Sequence, residues 1–285
     1  MEVVKEGETN HKVQSSNFKV KSNHKVQSSK FKFQSKESSN LKVQSKLKAL
    51  LSSTYFGPIQ WYQKLNRYDE CLIERHESFI KQTYRNRMII PTTNGPLSLT
   101  IPTNHDISLS MKDIRISDHA NWRHVHWNAL LSAYGESPFF EYYQDDIRPF
   151  YEKKYEFLFD FNMETTEKMI ELLDIRPKIS ITEEYILSEE RRVKSEETTF
   201  GGQGESQFDS IADHKVQSSN LKVQSKEVQS IVDFRDAIRP KKPLPDAEFV
   251  PKRYYQVYGQ KHGFLPNMSI LDLLFNEGNE AIFYL

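Results

Sequence analysis

The chain contains a single cysteine, Cys71, so it cannot form an internal disulfide. That composition excludes the small disulfide-stapled secreted proteins and indicates a reducing compartment. The sequence also lacks an apolar run near the roughly 20 residues that a membrane-spanning helix requires. Its first residues show no apolar stretch of the kind that a secretory signal contains. We therefore expect a cytoplasmic protein without a transmembrane segment.

Signatures of metal and cofactor binding are missing as well. Neither Cys71 nor the pair His124 and His126, two positions apart, forms a recognisable zinc ligand set. The glycines at 201–204 follow no predicted strand and open no predicted helix, so they do not indicate a phosphate-binding loop. The sequence contains no GxSxG elbow and no dinucleotide fingerprint. We expect no metal and no bound cofactor.

The chain has no net charge, because 39 basic residues balance 39 acidic ones. The balance is uneven along the sequence. Residues 1–46 carry a net charge of +6 and residues 214–230 carry +2, so the remaining body carries −8. Phosphate binding over a large surface requires a basic field. The acidic body therefore argues against nucleic acid or an anionic membrane as the main partner.

A repeated motif accounts for this unevenness. The hexapeptide HKVQSS opens three stretches, at 11–22, 24–46 and 214–230. The copies are not evenly spaced, as the units of a solenoid would be, and therefore resemble inserted segments. Their richness in Ser, Gln, Lys and Asn predicts a low-complexity, disordered extension over 1–46. The domain is then predicted to span 47–285, with a loop over 189–238 that carries the second insert.

The patterns in the body predict a mixed α/β fold. An apolar segment at 48–56, a three-spaced apolar pattern at 59–68 and a second apolar segment at 69–77 predict a βαβ unit with parallel strands. Asn94-Gly95 between two apolar runs predicts a central hairpin. The rest of the body is predicted to have a helical middle and C-terminus joined by short strands. The strands are predicted at 113–116 and 178–186. The helices are predicted at 121–133, at 139–159 with a break at Pro149, at 165–173, and at 269–276 with Ser269 as cap.

The body resembles the WbqC-like family of bacterial proteins through blocks that occur in order along almost its whole length. These blocks are ALLSSTYFGPIQWY at 49–62, YRNR at 84–87, NGPLSLTIP at 94–102, DIRIS at 113–117, WRHVHW at 122–127, AYGESPFFEYY at 133–143, FYEKKYEFLFDFN at 150–162 and HGFLPNMSILDLLFNEG at 262–278. Residues before 48 and the segment 214–230 depart from this pattern.

The resemblance implies a place in the synthesis of O-antigen and other surface polysaccharides. It implies a transferase that moves an acyl or aminoacyl group, such as glycyl, onto an amino sugar, and it leaves open whether that sugar is free, nucleotide-linked or lipid-linked. The donor would then be a co-substrate, and a nucleotide sugar or glycan precursor would be the small-molecule partner. The alternative is a non-catalytic binding or scaffold protein in the same pathway. The family supplies no catalytic residues to carry over.

The block Arg85-Asn86-Arg87 is the first candidate substrate-binding site. Two guanidiniums flanking an amide are suited to a diphosphate or carboxylate, which they bind with forked hydrogen bonds. In a strand, Arg85 and Arg87 would share one face and reach one anion. The alternative is a pair of surface arginines that neutralise nearby acids.

Three histidines and two aromatic residues complete the candidate set. Trp122 and His126 are four apart and would share one face of a helix, with His126 as general base and Trp122 stacking on substrate. His262 precedes a glycine in a shaped loop and is a second candidate base. Tyr55 and His76 lie at the carboxyl ends of the two predicted parallel strands, where ligands collect, and are candidate substrate-binding residues. For the histidines, the alternative is a packing, turn or charged-rim role.

Overall fold

The computed structural model describes residues 47–104, 109–187 and 230–285. The predicted extension over 1–46 lies outside the described residues, as does the predicted loop from 189 to 229 with nearly all of the second insert. Among the described residues, no helix is long and apolar enough to cross a membrane.

The described residues form a mixed α/β fold, as the sequence predicts. The strands are β1 Lys48–Ser52, β2 Glu70–Glu74, β3 Arg87–Thr92, β4 Gly95–Thr100, β5 Thr103–Asn104, β6 Arg115–Ile116, β7 Ile179–Ile181 and β8 Ile231–Asp233. The α-helices are α1 Ile59–Arg67, α2 Trp122–Tyr134, α3 Phe140–Ile147, α4 Pro149–Glu152, α5 Leu158–Leu172, α6 Gly259–His262 and α7 Ile270–Glu277. Short 3-10 helices occur at Met111–Asp113, His119–Asn121 and Gly278–Tyr284.

A four-stranded parallel sheet, in the order β7-β2-β1-β8, forms the centre of the fold. The apolar residues Ala49, Leu50 and Leu51 of β1 are fully buried, as expected for a strand covered on both faces. The helix α1 connects β1 to β2 and buries Trp61 and Tyr62. The predicted βαβ unit is therefore confirmed, although both strands are shorter than the apolar segments that predict them.

The turn between β1 and α1 depends on Gly57. A Cβ atom at this position would lie 2.4 Å from Oγ1 of Thr54, so a larger residue would require the buried Thr54 side chain or the backbone to move. After this turn, the backbone N–H of Ile59 donates to the carbonyl of Met268, and Ile270 N–H donates to the carbonyl of Gly57. The turn is thereby tied to the start of α7.

The central hairpin is confirmed as β3 paired with β4. Thr92 pairs with Gly95, so a two-residue loop joins the strands, and Gly95 adopts a φ of 101°. The helix α7 is also confirmed with its cap, because the Ser269 side chain accepts from the N–H of Leu271. Both elements follow from local turn and cap chemistry.

Other predicted elements are also wrong in extent: the strand predicted over 178–186, for example, is only Ile179–Ile181. The helix predicted over 139–159 stops at Glu152, and α5 begins only at Leu158. Between them the chain runs extended, because Ile116 N–H donates to the carbonyl of Glu156 and Leu158 N–H donates to the carbonyl of Ile114. The segment predicted as loop also contains β8, which pairs with β1.

Candidate functional site

The four strands of the parallel sheet, β1, β2, β7 and β8, end at one edge, which we call the carboxyl edge. Their last residues are Ser52, Glu74, Ile181 and Asp233. Open α/β sheets bind ligands in the crevice outside this edge. A cavity of about 280 Å³, here called the carboxyl-edge cavity, is lined by residues that follow these strands: His76, Glu77, Ser78, Ile80, Arg85, Tyr185, Arg235, Asp236 and Arg239.

Glu74 stabilises the loops around the end of β2. Its carboxylate is fully buried and accepts hydrogen bonds from the backbone N–H of His76, the hydroxyl of Thr182 and the backbone N–H of Ile186, each at 2.8 Å. A buried carboxylate persists only when its oxygens are satisfied in this way. Glu74 therefore positions the backbone of His76 relative to the chain that follows β7.

Arg85 lies beside this loop in a buried ion pair with Glu77. Its Nε and Nη2 donate to the two carboxylate oxygens of Glu77, at 2.8 and 2.5 Å, and Nη2 also donates to the hydroxyl of Ser52. This forked geometry gives a directional, charge-assisted contact. The pair joins the end of β1 to the loop after β2, so Arg85 shapes the wall of the cavity and is already neutralised by Glu77.

Arg235 contributes the opposite wall, where the chain leaves β8. Its Nε and Nη2 donate to the carboxylate of Asp233, and Nη2 also donates to the carbonyl of Ile186. The side chain is only 3% exposed. Its Nη1 has no hydrogen-bond partner among the described residues, and it lies 3.7 Å from the carboxylate of Glu74. In the described part of the chain, the N–H groups of Arg235 Nη1 therefore make this long ion-pair contact but donate no hydrogen bond.

Two more polar groups in the cavity keep unused hydrogen-bonding capacity. Arg239 forms an ion pair with Asp236, but its Nε lacks a partner in the described part of the chain. The Nε2 atom of His76 is likewise buried and without a partner among these residues. Unsatisfied buried donors and acceptors are rare in proteins. Three such atoms, on Arg235, Arg239 and His76, belong to residues that line this one cavity, which suits a polar ligand.

The Arg85-Asn86-Arg87 block does not converge on one anion. Arg85 lies in the turn before β3, and the strand expected to place it on one face with Arg87 starts only at Arg87. The Asn86 amide donates to the carbonyl of Ile101, and the Arg87 Nε donates to the hydroxyl of Thr100. The expected shared face is therefore wrong: only Arg85 of the three lines the carboxyl-edge cavity, and the other two hold the hairpin.

The structure brings three other candidates together in a buried aromatic cluster. The Tyr55 hydroxyl lies 2.9 Å from Nδ1 of His126 and 2.9 Å from the hydroxyl of Tyr151. The rings of Trp122 and His126 are 5.2 Å apart, so the predicted shared face of the helix is confirmed. These contacts hold α2 and α4 against the segment that follows β1.

The environment of His126 disfavours its charged form. Burial lowers its pKa from 6.5 to about 4, and a backbone hydrogen bond with Thr100 only partly opposes this effect. Burial also raises the pKa of Tyr55 well above its usual value, and its contact with Tyr151 adds to the shift. Near neutral pH the cluster is thus uncharged, as a packed polar network inside an aromatic core requires.

His262 lies at a third location. Its Nε2 is 3.2 Å from the carbonyl oxygen of Thr92 and 3.1 Å from that of Thr93, at the tip of the hairpin. A donor at this position satisfies the outward carbonyls of the turn. The predicted catalytic histidines therefore do not share one site, and of the candidate residues only His76 and Arg85 line the carboxyl-edge cavity.

Sequence patterns missed Tyr185, Arg235, Asp236 and Arg239. The last three follow β8: Arg235 and Asp236 lie inside the segment whose polarity predicts a loop, and Arg239 lies directly after it. The signal that could have found them is the apolar pair Ile231-Val232 directly before the charged run that starts at Asp233.

Cys71 is fully buried and burial raises its pKa to about 12, which leaves an unreactive thiol. Among the described residues, no three His, Cys, Asp or Glu side chains are arranged to hold a metal ion.

The fold and the cavity define an α/β protein with a polar site at the carboxyl edge of a parallel sheet. The chain belongs to the WbqC-like protein family, whose model matches residues 52–203. It is also 26% identical over 246 residues to the "Uncharacterized protein Rv1507c" of Mycobacterium tuberculosis (strain ATCC 25618 / H37Rv), covering 84% of this chain and 97% of that protein. No solved structure matches the chain.

Proposed function

We propose that this protein is a transferase of surface-polysaccharide synthesis that moves an acyl or aminoacyl group onto an amino sugar in the carboxyl-edge cavity. Family membership supports the pathway. The observation that carries the proposal is the coincidence, at this edge of the sheet, of one histidine and two arginines that each have a side-chain nitrogen without a hydrogen-bond partner among the described residues.

In the proposed reaction, the amine nitrogen of the sugar attacks the carbonyl carbon of an activated donor, a thioester or an ester. The N–C bond forms as the bond from carbon to the leaving sulfur or oxygen breaks. The Nε2 atom of His76 takes the proton that the amine loses and returns it to the leaving group. No oxidant or further reactant is consumed, so atoms and electrons balance.

We assign to Arg235 and Arg239 the stabilisation of the negative charge that develops in this reaction. Charge develops on the carbonyl oxygen as the tetrahedral intermediate forms, and fixed N–H donors stabilise it most when water is excluded. Nη1 of Arg235 and Nε of Arg239 are the donors without a partner among the described residues. Asp236, which is paired with Arg239, would accept a hydrogen bond from a sugar hydroxyl or amine.

His76 is a better candidate base than His126 for this cavity. His76 lines the cavity, whereas His126 is 4% exposed and hydrogen-bonded within the aromatic cluster. A base must come within hydrogen-bond reach of the proton it abstracts. We therefore assign His126 to positioning the segment after β1, through Tyr55, and assign proton transfer to His76.

The proposal is tested by incubating the full chain with a panel of amino sugars, both free and nucleotide-linked, and of acyl-thioester and aminoacyl donors. Mass spectrometry then detects an acceptor whose mass has increased by the acyl group. A product that forms only with active protein, together with a free thiol or alcohol in equal amount, supports the transferase. Binding of an amino sugar without product from any donor would instead support the non-catalytic binding protein.

A further inference from the structure

A second cavity lies outside the site described above, over the first turn of α2. It has a volume of about 380 Å³, within the range of small-molecule pockets. We call it the α2 groove. The lining residues that the argument uses are Arg123, His124, Trp127, Arg148, Tyr151 and Lys154.

The α2 groove is basic although the body of the protein is acidic. Three of its lining side chains carry fixed positive charge, Arg123, Arg148 and Lys154, whereas Glu152 is its only lining carboxylate among the described residues. Glu152 pairs with Arg148 at 2.6 Å. Outside the lining, Asp118 pairs with both Arg123 and Lys154. Among the described residues, these pairs leave one positive charge of the groove uncompensated.

Arg123 is the central donor of the groove. Its side chain is 12% exposed, and its guanidinium lies 4.7 Å from the centre of the Trp122 ring. Only its Nη1 is occupied, by Asp118, while Nε and Nη2 are buried without a partner in the described part of the chain. A phosphate group accepts two parallel hydrogen bonds from one guanidinium in this way. Without such an acceptor, burying these two donors costs free energy.

The wall of the groove is aromatic. The rings of Trp127 and Tyr151 lie 5.8 Å apart and are inclined by 36°. The hydroxyl of Tyr151 is already used by Tyr55, so its ring is the part left to face a ligand. Planar rings stack on indole faces with an energy that tolerates changes of base. An anion site next to such a wall matches a ligand with both phosphate and a planar ring.

We propose that the α2 groove binds a nucleoside phosphate, with the phosphates on Arg123 and Lys154 and the base against Trp127. This inference does not rest on the proposed transfer reaction, because it uses none of the residues of the carboxyl-edge cavity. A polynucleotide is the less suitable ligand, since the body carries a net charge of −8 and its binding would require a basic surface that extends beyond one groove.

The test measures binding of ADP, UDP, uridine and pyrophosphate to the full chain by isothermal titration calorimetry. The variants are Arg123→Gln, Lys154→Gln and Trp127→Leu. Because Arg123 is largely buried, its variant is compared only if its thermal midpoint is near that of the wild type; Lys154 is 79% exposed and gives an independent variant. Arg253→Gln, outside the groove, is the matched control, and Arg239→Gln reports on the carboxyl-edge cavity.

We expect ADP or UDP to bind the wild type and the Arg253 and Arg239 variants equally. Affinity should fall at least tenfold in the Trp127 and Arg123 variants and several-fold in the Lys154 variant. Pyrophosphate and uridine should each bind more weakly than the whole nucleotide. Three results would each overturn the inference: no binding of either nucleotide, unchanged affinity in the groove variants, or loss in the Arg239 variant alone.

Discussion

Arg85 and Glu77 form an ion pair withdrawn almost completely from water, with side chains 3% and 7% exposed. Removing one partner of such a pair leaves an uncompensated buried charge, whereas replacing both by apolar groups is close to neutral. A pair on the surface would contribute less than about 1 kcal/mol. The burial of Arg85 therefore makes it a structural residue first, which its sequence pattern alone did not indicate.

We predict that Arg85→Met lowers the free energy of unfolding by roughly 3–5 kcal/mol. The double variant Arg85→Met/Glu77→Leu should recover most of this loss, because no buried charge then remains. Urea unfolding of both variants and the wild type measures the difference. A single variant as stable as the wild type would show that the pair is solvated in solution.

Two buried titratable residues couple stability to pH with opposite signs. Burial raises the pKa of Asp272 from 3.8 to about 6, although Tyr254 and Gln256 donate hydrogen bonds to it. Its contribution to the free energy of unfolding, roughly 3 kcal/mol, is present below pH 4 and is lost as the pH rises through 6. The pKa of His126 is lowered from 6.5 to about 4, so its contribution is present above pH 6.5 and is lost on acidification towards pH 4.

Because the contributions of Asp272 and His126 oppose each other, the two residues together should make the free energy of unfolding of the wild type depend only weakly on pH between 4 and 6.5. In His126→Phe the Asp272 term remains, and we predict that stability falls as the pH rises through this window. In Asp272→Asn the His126 term remains, and stability should fall as the pH drops. Urea midpoints at pH 4.5, 5.5 and 6.5 give the slopes; equal slopes in all three proteins would contradict the assignment.

At the scale of elements, local chemistry explains which predictions succeed. The β1-α1-β2 unit, the Asn94-Gly95 hairpin and the capped helix α7 depend on residues close together in sequence. β8 does not: it has three residues, follows a long polar segment and exists because β1 offers an unpaired edge. The extended chain over 153–157 likewise depends on pairing with β6. Such distant pairings leave no periodicity in the sequence.

The same limit explains what the sequence predicted of the candidate site. His76 was found because it follows a recognisable strand, and Arg85 because of its unusual Arg-Asn-Arg context. The buried partner of Arg85 and the residues after β8 were missed, since burial and long-range ion pairs are properties of the fold. Conversely, His126 shares a helix face with Trp122 as expected, but the sequence did not show that this face is packed against Tyr55.

β8 offers a direct test of how an element supports the site. The bonds from Lys48 N–H to the Ser230 carbonyl and from Phe234 N–H to the Leu50 carbonyl define the parallel ladder, in which Val232 N–H faces β1. Val232→Pro removes this donor and should destabilise the protein by roughly 1–3 kcal/mol. Because Asp233 and Arg235 follow directly, ligand affinity should fall too.

Ile231→Pro is the matched control for this prediction. The N–H of Ile231 points to the open side of the edge strand, so proline there removes no ladder bond. Thermal midpoints and ligand titrations of both variants give the comparison. Equal losses in the two variants would mean that the pairing of β8 with β1 is unimportant for the site.

At the scale of the whole molecule, the described core lies within residues 47–285. We predict that deleting residues 2–46 leaves the thermal midpoint within a few degrees of the wild-type value. Deleting residues 214–228 should have a similarly small effect, because shortening a connection of this length by about a third changes the loop-closure free energy by less than about 0.5 kcal/mol. A drop of more than about 8 °C in either protein would show that the repeats contribute to the fold.

The assignment of the carboxyl-edge cavity as the reaction site rests most directly on His76. The decisive measurement is the rate of acyl transfer to the amino sugar by His76→Gln, with His119→Gln, an exposed histidine outside the cavity, as control. We predict that His76→Gln retains affinity for the amino sugar and loses at least a hundredfold in kcat, while the control is unchanged. A His76→Gln protein that transfers the acyl group at the wild-type rate would contradict the proposed site.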